Sequence, residues 1–169
     1  GTFSSGTGAG RVSVSNANVS AGSLLVGNNT TDASTFTILS NATVTVSGGA
    51  GINGRNTTVI NGGTLQILTG APAFEDVALH NRIIVGYQAD GQLTLSNGTV
   101  IAPEIVVGYG STLTKTGYWS MAGGTVRASS NILVGANSAA GDLMVKGGNM
   151  IVTQGVLAVG NNGTFSSGS

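Results

Sequence analysis

Residues 95–109 read LSNGTVIAPEIVVGY. Apolar and polar residues alternate with period 2 through LTLSNGTVIA (93–102), which is the pattern of half-buried strands. Asn97-Gly98 interrupts the first run, and a later run closes on Val107-Gly108. Strands this short, parted by Gly/Asn corners, cannot fold alone and need neighbours stacked above and below.

The same phrase returns along the chain. It appears as VSNANV (14–19), LSNATV (39–44), INGGTL (60–65), LSNGTV (95–100), MAGGTV (121–126) and KGGNM (146–150). The closing apolar anchors are Val19, Val44, Leu65, Val100, Val126 and Met150, at spacings of 25, 21, 35, 26 and 24. A second phrase falls between anchors: LLVG (24–27), IIVG (83–86), IVVG (105–108), ILVG (132–135) and LAVG (157–160). The rung between Val44 and Leu65 offers GINGRN (51–56) instead.

A repeat of this size is one turn of a solenoid. The sequence predicts an all-β fold, a parallel β-solenoid of about six coils of ~27 residues, forming a single domain over 1–169. Equivalent strands then pair ~4.8 Å apart along the axis, and the anchors stack as an internal aliphatic column. Gly and Asn occupy corners because those positions need positive φ. A β-sandwich, by contrast, predicts hairpin turns and no recurring phrase.

Composition agrees. The chain holds 29 Gly, no Cys and 7% charged residues, six basic against six acidic. So few cations build no nucleic-acid surface. Zero Cys excludes a disulfide scaffold or a Cys-ligated zinc. No apolar run is long enough for a membrane-spanning helix, and 40% apolar residues argue against disorder.

The pairing of these two phrases resembles the repeats of bacterial type V secretion (autotransporter) passengers and of PEP-CTERM-associated surface proteins. It is carried by Val14–Val19 with Leu24–Gly27, Leu95–Val100 with Ile105–Gly108, Met121–Val126 with Ile132–Gly135, and Val145–Met150 with Leu157–Gly160. The resemblance covers nearly the whole chain. It implies a secreted, right-handed β-helix that serves as a stalk or surface scaffold. Irregular rungs at 45–59 and 66–99 depart from it.

The ends match each other. GTFSSG stands at 1–6 and again at 163–168, offset by 162. Reading from Met150 through the second copy into the first gives another well-formed rung with spacing 31. The chain therefore reads as one 162-residue period of a longer array, or as a subunit joined end to end with copies of itself. Open solenoid ends invite pairing, and non-closing end-to-end contact makes filaments. Candidate junction residues are Gly1, Thr2, Phe3, Val14, Leu157, Val159, Thr164 and Phe165. Six coils at ~4.8 Å give an axial repeat of roughly 29 Å.

Chemistry is sparse. Asp32, Glu75, Asp76, Asp90, Glu104 and Asp142 sit at different coil phases, and Glu104 and Arg127 are expected to join no column of charges. Catalytic residues, cofactor and metal are each expected to be none. APAFEDVALHNR (71–82) lengthens its rung. Pro72 fits the first turn of a short helix within 71–82, with Glu75 and Asp76 near its N-terminus. Phe74, Val77 and Leu79 are then expected to pack down on the coil, and Phe74, Glu75, Asp76, His80 and Arg82 to form a surface decoration or a lateral contact between solenoids, or else Glu75, Asp76 and His80 hold a ligand or metal.

Tyr87 and Tyr109 each follow a Val-Gly and are expected to stack as an aromatic ladder, with Tyr118 and Trp119 as further candidates for a sugar platform. Thr-x-Thr pairs at Thr35/Thr37, Thr43/Thr45 and Thr112/Thr114 fall at different phases and make no single ladder. The expectation is a non-enzymatic, extracellular or cell-surface structural protein that forms a filament, sheath or stalk. Its partner is itself, with surface polysaccharide a further candidate and nucleic acid excluded. An adhesin segment binding through its loops and a carbohydrate-active β-helix enzyme are the alternatives.

Overall fold

The computed structural model describes residues 2–3, 10–27, 34–69, 77–110, 116–160 and 163–168. It is a parallel β-solenoid. Every strand pairing is parallel, and equivalent strands of successive coils stack into three faces.

The first face stacks Arg11–Val14, Thr35–Leu39, 58–61, 91–97, Thr116–Met121, Ala140–Val145 and Gly163–Ser167. The second stacks 18–21, 43–46, 64–67, 99–102, Thr125–Ala128 and Asn149–Val152. The third stacks Thr2–Phe3, 23–26, 49–52, Arg82–Val85, Glu104–Tyr109, Ile132–Ala136 and Leu157–Val159.

Register makes the recurring phrases into columns. Val19, Val44, Leu65, Val100, Val126 and Met150 are direct partners along the second face. Val14, Ile38, Ile60, Leu95, Met121 and Val145 run along the first. Val26, Ile52, Val85, Val107, Val134 and Val159 run along the third. These columns enclose one apolar core, and between the end coils its members are almost wholly buried. Because side chains alternate across a strand, one column per face goes in and the next faces out.

Corners follow from backbone sterics. Gly27, Gly86, Gly108 and Gly135 end the third face with φ of 72, 79, 78 and 73°. Between the first and second faces the left-handed residue is Asn16 or Asn41, and then Gly62, Gly98, Gly124 and Gly148. Asn tolerates that region better than other residues with a Cβ. The Asn41 amide also donates to Asn16 Oδ1 at 3.2 Å, so the two corners are tied along the axis.

The described part of 71–82 includes a short 3-10 helix, Val77–Leu79, while the expected helix start at Pro72 with Glu75 and Asp76 lies outside the described residues. One expectation changes. The Trp119 indole is 1% exposed and lies in the core between Leu93 and Leu143, so it offers no external platform.

Candidate assembly surfaces and the tyrosine groove

The coil that ends the described structure leaves its interior open. Leu157, Val159 and Phe165 continue inward columns, yet are 39, 47 and 41% exposed. At the other end Val12 is exposed while Val14 is buried. Thr164 Oγ1 donates to Asp142 Oδ1 at 2.9 Å, which fastens the last strand of the first face to its neighbour. Thr2–Phe3 pairs instead with Ser23–Leu24 on the third face. The described residues of the two GTFSSG copies therefore occupy different faces. Gly1 lies outside the described residues.

The long rung and the irregular rung turn out to be one feature. Leu79 is 4% exposed and packs outside the solenoid against Ile84 and Val106. Beneath it lies the glycine-rich stretch 47–51, SGGAG, of the preceding coil. A Cβ on Gly49 would stand 1.6 Å from the Leu79 carbonyl oxygen, and one on Gly51 would stand 3.3 Å from Leu79 Cδ2. The Asn81 N–H donates to Gly48 O at 2.6 Å. Glycine is present there because the insertion rests on that strand's backbone.

In the same irregular rung Asn53 replaces the Val-Gly glycine. Its side chain is buried, donating to Gly27 O at 3.4 Å. Its Oδ1 accepts from the N–H groups of Tyr87, Gln88 and Ala89 at 3.0, 2.8 and 3.4 Å. One amide thus joins the coil before to the coil after.

Among the proposed lateral-contact residues, Phe74, Glu75 and Asp76 lie outside the described residues, and His80 is half-buried. Arg82 faces its register partner Glu104, with Nε 3.0 Å from Oε2. That nitrogen is not aligned as a hydrogen-bond donor, so the attraction is chiefly Coulombic. This corrects the expectation that Glu104 joins no column of charges. The column goes on, as Asn131 Nδ2 approaches Glu104 Oε1 at 3.4 Å and Asn131 Oδ1 accepts from Val156 N–H at 3.1 Å. Among the described residues no three His, Cys, Asp or Glu side chains converge as metal ligands.

Tyr87 and Tyr109 lie on successive coils, with ring centroids 6.3 Å apart and planes inclined by 30°. Both pack against the cluster formed by Leu79, Ile84 and Val106. Together with Ala78, Gln88, Gly110, Asn137 and Ser138 they line a groove of about 570 Å³. Tyr118 stands exposed on the outside of the first face, apart from them.

Thr35/Thr37 and Thr43/Thr45 lie on different faces, and Thr112/Thr114 lies outside the described residues. A different ladder does exist: Asn18, Thr43, Thr64, Thr99, Thr125 and Asn149 are register partners on the second face. Each stands one residue before its anchor, which is the signal that would have found it.

Comparison with protein-family models, curated proteins and solved structures found no match to this chain.

Proposed function

We propose that this chain is a non-enzymatic structural protein of the cell exterior, whose solenoid is extended by further coils stacked end to end. The observation that carries the reading is the trio Leu157, Val159 and Phe165. They are core-column residues with no layer over them among the described residues. Covering the two-fifths or so of each side chain still exposed is worth about 1 kcal/mol apiece, and the exposed strand edges add backbone hydrogen bonds. The GTFSSG phrase recurs near each end of the sequence, though on different faces, and the resemblance to autotransporter passengers favours an extracellular scaffold.

Use of the acids supports a structural role. Asp90 Oδ1 accepts from Thr116 N–H at 2.9 Å, Glu104 pairs with Arg82, and Asp142 binds Thr164. Each described carboxylate is engaged with an adjoining coil. Electron microscopy of the purified chain tests the proposal, with an unbranched fibre as the expected result. Its axial repeat is about 29 Å if the two GTFSSG copies overlay, and about 34 Å if seven layers stack with both copies in place, at ~4.8 Å per coil. Discrete monomers at high concentration would sink it.

A further inference from the structure

We propose that the groove beside Tyr87 and Tyr109 binds a neutral oligosaccharide. Its lining includes two aromatic rings on successive coils, 6.3 Å apart and mutually tilted by 30°. Each ring is seated on the Leu79, Ile84 and Val106 cluster and turns remaining surface to the groove. The tyrosine segment is held from beneath, since Asn53 Oδ1 accepts from both Tyr87 and Gln88 N–H. The platform is therefore built before any ligand arrives, which lowers the cost of binding.

The rim is polar and uncharged. Gln88, Asn137 and Ser138 are exposed there, and no Asp, Glu, Lys, Arg or His is among the described residues lining the groove. Asn137 and Ser138 have φ of 52 and 67°, so this rim is a tight left-handed bend rather than a strand. A volume near 570 Å³ lies in the range of small-ligand sites.

These features select the ligand class. Aromatic faces take the C–H surface of a pyranose, while amides and hydroxyls exchange hydrogen bonds with its hydroxyl groups. A nucleic acid or a sulfated glycan needs cations, and the described lining residues supply none. A peptide added as a further β-strand needs an unpaired strand edge. The adjacent strands Glu104–Tyr109 and Ile132–Ala136 already pair with each other, leaving no edge between them. The reading is independent of end-to-end stacking.

The test is a panel of immobilised neutral glycans, with α- and β-linked hexopyranosides, probed with the full chain and followed by calorimetry on the best ligand. Retention of at least one neutral glycan is expected, with affinity insensitive to salt. Tyr109→Ala should weaken binding roughly three- to ten-fold, from the usual worth of one aromatic contact. Tyr109→Phe should largely preserve it. Asn137→Gly keeps the left-handed backbone and removes one amide, so it should weaken binding while leaving the melting curve unchanged. No retention of any neutral glycan at millimolar concentration overturns the proposal. So does retention of charged glycans or peptides alone, or binding unaltered by both Tyr109→Ala and Asn137→Gly.

Discussion

The buried side chain of Asn53 accepts a hydrogen bond from the backbone N–H of Gln88 at 2.8 Å, across 35 residues of sequence. The same oxygen serves Tyr87 and Ala89. Every other described third-face corner before Leu157–Val159 is a glycine with φ near 75°, where only backbone fits. Here a side chain takes over the work of the corner, and it fixes the loop that carries the first tyrosine.

Asn53→Ala removes this acceptor without adding bulk. The Ala89 N–H is buried and loses its partner, while Gln88 can turn to water. An orphaned buried donor costs about 1–3 kcal/mol. The expected outcome is a lower denaturation midpoint, together with faster amide exchange at Tyr87–Ala89. Unchanged exchange there would show that the loop is held by other contacts.

Arg82 and Glu104 should couple across adjoining coils. Their side chains are 30 and 17% exposed, which places the pair between a surface bridge and a buried one. A double-mutant cycle with Arg82→Gln and Glu104→Gln should give a coupling on the order of 1 kcal/mol that shrinks as salt rises. A coupling of zero at low salt would mean that the misaligned contact contributes nothing.

Much of this architecture was legible because a solenoid repeats its local code. The six anchors from Val19 to Met150 could be aligned by eye, and alignment in sequence is register in space. The same rule, pressed further, would have found more. Arg82, Glu104 and Asn131 each stand one residue before a Val-Gly phrase, so their column was available. Trp119 lies two before Met121 and must share its inward side. What local code could not give is the seating of Leu79 on Gly49 and Gly51. That contact joins an insertion to the coil before it, and no periodicity links them. The tyrosine groove has the same character, since its far rim comes from Asn137 and Ser138 on a third coil.

Thr58 offers a stabilising change. It takes an inward position between Phe36 and Leu93, is fully buried, and its hydroxyl has no hydrogen-bond partner. A buried hydroxyl without a partner carries a desolvation penalty of about 1–3 kcal/mol. Val has the same branched shape and also favours strands. Thr58→Val should therefore raise the denaturation midpoint, by about 1 kcal/mol of stability. A loss of stability would indicate that the hydroxyl is satisfied by interior water.

Phe165→Asp separates assembly from folding. Phe165 pairs in register with Leu143 but is 41% exposed, so part of its surface is uncovered among the described residues. In the isolated chain a carboxylate there stays in reach of water, and the coils beneath keep their own columns. In a stacked junction it would be buried opposite apolar partners, at a cost of several kcal/mol for an unpaired charge. The variant should keep the strand signature in circular dichroism and nearly the parent melting curve, while fibre length falls sharply in electron micrographs. Leu143→Asp is the contrast, because Leu143 is fully buried in the same column and its replacement should unfold the coils themselves. Fibres of normal length from Phe165→Asp would place the junction elsewhere than on this end of the first face.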